Sequence, residues 1–127
     1  MTFNVKYTVY FFRINGAEDK SFDTIVAFGK GSSIPHYKTG DVKLEDNMPI
    51  LFDFGCKYKG YCSDMSRSFY FGKAPKKYLD VHKVVFDAQQ QAISNVKANM
   101  LGCEADAIAR NYLKSFGLDG YFTHSLG

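Results

Sequence analysis

The chain has no tryptophan, only three cysteines and three prolines, and no long apolar run. Three cysteines without framework spacing exclude a small disulfide-stapled domain and are typical of a reducing compartment, so we expect a cytoplasmic protein. The longest apolar stretches, such as TVYFF, fall far short of the ~20 residues that a membrane-spanning helix requires. The amino-terminal residues also lack the pattern of a signal peptide. The sequence therefore predicts no membrane partner.

Charge of one sign is not concentrated anywhere in the chain. The formal net charge is +3, and it comes from lysines scattered through predicted turns and helix surfaces. A protein that follows a phosphate backbone carries its basic residues in a block or along one face. We therefore expect no nucleic-acid partner.

The chain is rich in hydrophobic and aromatic residues that can form a core. Its 127 residues are 46% hydrophobic and 23% charged, which is sufficient for one globular domain with a buried core. Aromatic residues reach 17%, with 12 Phe and 9 Tyr, and they favour a sheet-containing core over a plain helical bundle. The predicted fold class is α+β.

The first part of the chain predicts strands. Residues 2–14, TFNVKYTVYFFRI, have the β-branched and aromatic content of a strand. The Asn15-Gly16 pair after them could end a helix in the left-handed conformation or turn a hairpin, and both alternatives remain open. Ser21–Phe28 alternates as a strand does, and the segment after it has the glycine, serine and proline content of a long loop.

A β-hairpin and two helices follow. The hairpin comprises predicted strands over Pro49–Cys56 and Tyr61–Gly72, joined by KYKG. Apolar residues at steps of three and four predict a helix from about 76 to 97. An acidic first turn around Glu104 begins a second helix, which Gly117 ends. The final YFTHSLG predicts the start of another strand.

The hairpin places two carboxylates inside otherwise apolar, aromatic strands. If KYKG is a four-residue loop, Cys56 faces Tyr61 and Asp53 lies directly across from Asp64, with β-carbons roughly 5 Å apart. With an effective dielectric near 20, two carboxylates at that separation repel by about 3 kcal/mol. This repulsion corresponds to about two pKa units of proton uptake on one of them. A three-residue loop with a glycine bulge at Gly60 would instead shift the register by one and separate the aspartates.

A shared proton, a basic side chain or a divalent cation can relieve this repulsion. Carboxylates bridge Mn²⁺, Co²⁺ or Zn²⁺, and a pair of such ions can activate water for attack on a carbonyl. The basic alternative is Arg67, which is nearest in sequence but should face away from Asp64 on a regular strand. Cys62 shares the aspartate face and could offer a thiolate to a soft metal, although a small buried apolar role is commoner for free cysteine. The residues alone leave the cation and the basic partner open.

Four stretches of the chain resemble the methionine aminopeptidase and Xaa-Pro peptidase family, which shares the pita-bread fold. In chain order they are FDTIVAFG, IPHYKTGD, ILFDFGCKYKGYCSDMSRSFYFG and YFTHSLG. The resemblance covers nearly all of the chain from about Gly16 onward. The DFG and SDMSR segments, and PHY in place of a cysteine-histidine-glycine run, are more similar to the Xaa-Pro branch than to the methionine aminopeptidase branch.

The resemblance implies roles for four residues. Asp53 would be a terminal metal ligand, and Asp64 would bridge two divalent ions, with Mn²⁺ as the first choice and Co²⁺ or Zn²⁺ as alternatives. His36 matches a histidine that lies close to the scissile group. His124 matches a second histidine at the active-site wall, which helps to bind the substrate or to stabilise the tetrahedral intermediate. The substrate would be a peptide with proline at its second position.

The family pattern continues beyond the last residue of this sequence. Members follow HSLG with a metal-binding histidine and later supply two glutamate ligands, whereas this sequence stops at Gly127. We therefore expect residues 1–127 to be a partial catalytic domain, truncated before the remaining metal ligands. Such a fragment should bind metal weakly or not at all and should be inactive alone. Uncovered sheet edges and apolar helix faces predict that it self-associates.

The leading prediction is a fragment of a cytoplasmic dimetal-dependent exopeptidase that hydrolyses N-terminal residues from peptides, at Xaa-Pro bonds. One alternative is a non-catalytic peptide- or protein-binding module, because the same fold serves this purpose in relatives that have lost metal ligands. Another is an unrelated α+β domain whose hairpin carboxylates meet lysines.

Overall fold

The computed structural model of the chain describes residues 6–126. The chain divides into two compact units, residues 1–74 and residues 75–127. The first unit contains all the described strands, and the second contains two long helices. The predicted α+β class is therefore confirmed. No helix within residues 6–126 has the length and apolar content that crossing a bilayer demands.

The first unit begins with a helix where local propensity predicts a strand. Helix α1 spans Lys6–Ile14, and residues 2–5 of the predicted strand lie outside the described residues. The Phe12 ring lies 6.3 Å from the Phe54 ring, and packing of this kind overrides a modest strand propensity. Gly16 has a φ of 93°, the left-handed conformation that commonly ends a helix. Of the two open alternatives, the helix end is confirmed.

Six short strands form two antiparallel sheets of three strands each. They are β1 (Asp19–Lys20), β2 (Ile25–Phe28), β3 (Met48–Phe54), β4 (Cys56–Tyr58), β5 (Tyr61–Cys62) and β6 (Met65–Phe71). One sheet has the order β1-β4-β5 and the other has the order β2-β3-β6. The strand predicted over Ser21–Phe28 is shorter than expected, because its pairing with β3 begins only at Ile25.

The core of the first unit lies on the β2-β3-β6 sheet. Its buried residues are Val26, Phe28 and Ile50, with Leu44, Met48 and Phe52 packed against them. Between β2 and β3 the chain makes a 3-10 turn over Gly29–Ser33 and then runs without regular structure to the start of β3. The predicted long loop is therefore confirmed except for this turn.

The hairpin passes from one sheet to the other at Gly55. A β-carbon on this buried residue would lie 1.9 Å from the carbonyl oxygen of Ser63. Ser21 joins the two strands there: its N–H donates to the Gly55 carbonyl at 3.0 Å, and its hydroxyl donates to the Ser63 carbonyl at 2.7 Å. Only glycine permits two backbones to approach so closely. The crossing point between the sheets therefore depends on Gly55.

The hairpin turn contains two residues rather than the four of KYKG. Lys59 and Gly60 have φ values of 48° and 81°, and two successive positive φ values are typical of a type I′ turn. Tyr61 consequently pairs with Tyr58. The predicted pairing of Tyr61 with Cys56 is therefore wrong.

The second unit packs two helices against each other. Helix α2 spans Lys76–Asn95 and helix α3 spans Gly102–Lys114, followed by a 3-10 turn over Asp119–Tyr121. The core between the helices consists of Ala88, Ala92, Ala109 and Leu113, and the small alanines let the two helices approach closely. Both predicted helices are therefore confirmed.

The strand predicted at YFTHSLG is wrong over the described residues 121–126. This segment has no strand pairing, although a strand requires a neighbouring backbone to satisfy its polar groups. Side chains of α3 bind those groups instead, since Arg110 donates to two of the carbonyls and Asp106 accepts one N–H. The segment is therefore held to a helix by side chains.

We expect Gly55→Ala to lower the free energy of unfolding by about 3 kcal/mol, because the added methyl group overlaps a backbone oxygen that cannot move without breaking the hairpin. The measurement is urea unfolding followed by circular dichroism. Gly40→Ala is the matched control, since the nearest atom to a β-carbon there is 3.9 Å away. Equal stability of the two variants would contradict the role assigned to Gly55.

Candidate metal and catalytic site

The two aspartates singled out from the sequence lie close together, but they are not directly opposed. Asp53 pairs with Ser66 across β3 and β6. The prediction that Asp53 faces Asp64 is wrong because the two-residue turn moves the register by two positions. A shift of two positions keeps each side chain on its original face, since side chains alternate with a period of two. Asp64 itself lies just before β6, outside any strand, and its carboxyl group still interacts with that of Asp53.

Asp53 carries a carboxyl group with one unsatisfied oxygen. Its Oδ1 atom is buried and accepts no hydrogen bond. Burial raises the pKa of Asp53 above the usual 3.8, and a hydrogen bond with the Ser66 side chain partly opposes this rise. Asp64 raises the same pKa further, through its charge and through contact between the two carboxyl groups. The predicted repulsion is present, but burial is the larger cause.

No basic side chain forms an ion pair with either aspartate in the part of the chain that the structure describes. Arg67, the predicted basic alternative, pairs with Phe52 in the ladder. Its guanidinium donates to the Ser66 carbonyl at 2.8 Å. The explanation of the aspartates as partners of lysine or arginine is therefore wrong for these residues.

His36 lies in the loop between β2 and β3. It is exposed, and its backbone has a φ of 53°, a left-handed conformation that is uncommon for a residue with a side chain. Its charge lowers the pKa of Asp53, which shows that the two side chains lie within electrostatic range. Asp53 and Asp64 thus lie together, and His36 is within electrostatic range of Asp53.

Two side chains anchor the loop that carries His36. The Thr39 hydroxyl accepts the N–H of Val26 at 2.9 Å, so it takes the place of a neighbouring strand at this point of β2. The Tyr37 ring packs against Gly31, where a β-carbon would come within 2.9 Å of the ring. Sequence reasoning missed both anchors, because a threonine and a tyrosine in a long loop carry no distinguishing pattern.

His124 belongs to the helical unit. Its ring meets the Phe122 ring edge to face at 4.8 Å, and its Nδ1 lies 2.7 Å from the Ser125 carbonyl oxygen. Arg110 donates to the His124 carbonyl at 3.0 Å. Sequence reasoning also missed Arg110 and its partner Asp106, although their spacing of four residues on a helix is the signal of a side-chain pair.

The cysteines do not join the candidate site. Cys62 is exposed on β5, in the sheet that does not contain Asp53. The expectation that Cys62 is a small buried residue is therefore wrong. Its place at the end of a two-residue edge strand leaves little for it to pack against.

The two carboxylates could hold a cation, but they supply only part of a coordination shell. An unsatisfied carboxylate oxygen is the kind of donor that a hard divalent ion prefers. Within residues 6–126, no three His, Cys, Asp or Glu side chains are grouped so as to hold one ion. The donors present fit a divalent cation in type, and further ligands would be needed to fix it.

The chain matches known proteins over nearly its whole length. The model of metallopeptidase family M24 matches residues 3–127. The uncharacterized peptidase YqhT of Bacillus subtilis is 41% identical over 118 residues, which are 93% of this chain and 33% of that protein. The Xaa-Pro dipeptidase of Pyrococcus furiosus is 37% identical over 118 residues, which are 93% of this chain and 34% of that protein.

The fold matches as well. The solved prolidase from Pyrococcus furiosus superposes with a TM-score of 0.91 at 35% identity, covering 96% of this chain and 36% of that one. This chain spans about a third of the length of the relatives it matches. Its α+β architecture is the corresponding part of the pita-bread fold of prolidases. With a family model that matches from residue 3 to residue 127, the chain belongs to metallopeptidase family M24.

Proposed function

We propose that the chain forms part of the catalytic domain of a dimetal-dependent exopeptidase that removes N-terminal residues from peptides. The observation that carries this proposal is the pair of touching carboxyl groups, Asp53 and Asp64. One of their oxygens is buried without a hydrogen bond. A divalent cation would offset both the repulsion between the two carboxylates and the lack of a hydrogen bond at the buried oxygen. Membership of family M24 supports the same function, because members of a metallopeptidase family act with divalent metal ions.

We further propose that the substrate is a peptide with proline at its second position. Similarity to proteins named Xaa-Pro dipeptidase and prolidase supports this substrate class. The PHY sequence around His36 favours the same branch of the family.

Each of the four proposed site residues has its own task. Asp53 and Asp64 would hold two divalent ions, with Asp64 between them. When bound, ions of this kind supply an activated water and polarise the scissile carbonyl. His36, which is exposed and within electrostatic range of Asp53, would form a hydrogen bond with the reacting end of the substrate. His124 would bind the substrate or stabilise the developing oxyanion.

The donor atoms and the cysteines support a proposal for the metal and the compartment. We propose Mn²⁺ as the resident ion, with Co²⁺ and Zn²⁺ as alternatives, because carboxylate oxygens suit a hard divalent ion. Three cysteines without a disulfide, Cys56, Cys62 and Cys103, support a reducing compartment and hence the cytoplasm.

A non-catalytic peptide- or protein-binding module is the second candidate. It is favoured by the lack, within residues 6–126, of three metal-binding side chains grouped together. In such a module, the two carboxyl groups would share a proton in place of a metal. Metal binding therefore separates the two candidates.

We expect the isolated 127-residue chain not to hydrolyse Xaa-Pro peptides, even with added Mn²⁺, because two carboxylates alone do not fix a metal pair. The measurement is chromatographic detection of released proline, with the Pyrococcus furiosus prolidase as the active control. The same assay on the longer parent protein should show turnover. Turnover by the isolated chain would contradict the partial-site proposal, and an inactive parent would contradict the peptidase.

We expect Asp53→Asn to remove Mn²⁺ binding and to raise the stability of the metal-free chain at neutral pH. The chain itself should bind Mn²⁺ weakly, with a Kd on the order of 1 mM. The substitution removes a partly buried charge that has no cation partner, so the metal-free chain gains stability as binding is lost. The measurements are Mn²⁺ titration by electron paramagnetic resonance and urea unfolding.

Asp41→Asn is the control for this variant, since Asp41 is an exposed aspartate of the same unit. It should leave both Mn²⁺ binding and stability unchanged. Binding that survives Asp53→Asn would rule out Asp53 as a ligand.

We also propose that the isolated chain self-associates through apolar surface. Helix α2 carries Leu79, Phe86 and Ile93 at intervals of seven residues, and they are 55%, 51% and 67% exposed. Residues at this interval share one side of a helix. Strand β6 adds an open edge to its sheet within the described residues, and such edges invite pairing with another chain.

We expect Ile93→Lys to weaken self-association about thirtyfold, because burial of one isoleucine contributes about 2 kcal/mol. The measurement is sedimentation velocity over a range of concentrations. Gln91→Lys adds the same charge to an exposed position of α2 on a different side of the helix from Ile93, without removing apolar surface, and it should have no effect. A chain that stays monomeric at high concentration would contradict the proposal.

A further inference from the structure

We propose that Asp106 and Arg110 act as a positioning pair, which fixes the backbone around His124 and thereby decides which nitrogen of its imidazole carries the proton. The functional interpretation of this pair rests on the role proposed above for His124. The hydrogen bonds of the pair are independent of that role.

Arg110 uses its whole guanidinium in this arrangement. Nε donates to Asp106 Oδ2 at 2.7 Å, and Nη2 donates to Asp106 Oδ1 at 3.2 Å. Nη1 donates to the Phe122 carbonyl at 2.9 Å, and Nη2 also donates to the His124 carbonyl at 3.0 Å. The guanidinium lies 4.7 Å from the centre of the Phe122 ring, within the range of a cation–π contact. One side chain therefore holds the segment on both sides of residue 123.

Asp106 holds the far end of the same segment. Its Oδ1 accepts the Leu126 N–H at 2.8 Å. The hydrogen bonds from Arg110 and from the Leu126 amide keep the pKa of Asp106 below its usual value, so the carboxylate is charged and accepts strongly at neutral pH. The side chains of Asp106 and Arg110 are only 18% and 35% exposed, which makes this pair better shielded from water than an ordinary surface ion pair.

The hydrogen bond to Leu126 fixes the His124 ring through one peptide plane. The Leu126 N–H and the Ser125 carbonyl belong to the same planar trans peptide group and point in opposite directions. With the N–H directed at Asp106, the carbonyl is directed at His124, whose Nδ1 lies 2.7 Å from that oxygen. A carbonyl oxygen can only accept a hydrogen bond, so Nδ1 must be the donor.

The neutral His124 ring therefore carries its proton on Nδ1, and Nε2 is an acceptor. An acceptor at Nε2 suits an N–H group of a peptide substrate. It does not suit an oxyanion, which would require a second proton on the ring. Of the two roles proposed for His124, the geometry points to substrate binding while the ring is neutral.

The test is the tautomer of His124 in the 127-residue chain, measured by long-range ¹H–¹⁵N correlation at about pH 8.5, where an ordinary histidine is neutral. We expect the Nδ1–H form in the unmodified chain. Asp106→Ala should release the peptide plane, giving a mixture of both tautomers and about tenfold faster hydrogen exchange at the Leu126 amide. Asp106→Asn retains an oxygen that can accept this N–H, and it should largely preserve the Nδ1–H form.

Two internal controls and one matched variant distinguish an effect on the position of the His124 ring from a general loss of structure. His36 and His82 lie outside the segment and should keep their signals in every variant. Asp80→Ala removes an aspartate from another pair with i,i+4 spacing, Lys76–Asp80, and it should leave His124 unchanged. If Asp106→Ala does not fold, Arg110→Met takes its place, since it removes the bonds to the two carbonyls.

An unchanged His124 tautomer in a folded Asp106→Ala or Arg110→Met chain would overturn the proposal. Equal changes at His124 and His82 would also overturn it, because they would indicate a merely structural role. None of these measurements uses metal or turnover. A failure here therefore leaves the metallopeptidase proposal standing, and a failure to bind Mn²⁺ leaves the positioning pair standing.

Discussion

The close approach of two backbones at Gly55 is the constraint on which the first unit depends. A β-carbon at this position would overlap the Ser63 carbonyl, so the hairpin can cross from one sheet to the other only at a residue without a side chain. The crossing ends the ladder of β3 and β6 just beyond Asp53. It also leaves Asp64 outside any strand, beside its partner. The geometry of the candidate site is thus a consequence of a packing requirement in the hairpin.

The carboxyl pair is an unfavourable feature for folding alone. Asp53 has a buried oxygen without a hydrogen bond, and Asp64 adds like charge next to it. Groups of this kind lower stability unless a ligand or a proton compensates them, and they are concentrated at functional sites. Within residues 6–126 neither aspartate has an ion-pair partner, so no lysine or arginine offsets these costs.

The helical unit contains a short irregular segment that no sheet stabilises. Strands satisfy their backbone groups with a neighbouring backbone, whereas residues 122–126 use Arg110 and Asp106. A guanidinium offers several donors in a fixed plane, so a single arginine can bind two carbonyls and a carboxylate together. These hydrogen bonds fix the carbonyls of Phe122 and His124 and the amide of Leu126.

The sequence by itself determined the α+β class, the hairpin and both long helices, because hydrophobic periodicity and turn residues are local signals. It also predicted that Asp53 and Asp64 lie close together, which is correct, although the register that placed them directly opposite each other is wrong. Tertiary structure decided the register, since Lys59-Gly60 and four-residue KYKG are both possible turns until the strands meet. It also decided that α1 is a helix despite its strand propensity, and that YFTHSLG is held by side chains within the described residues. These outcomes depend on contacts with residues distant in sequence, such as Phe54 and Arg110, which local patterns do not encode.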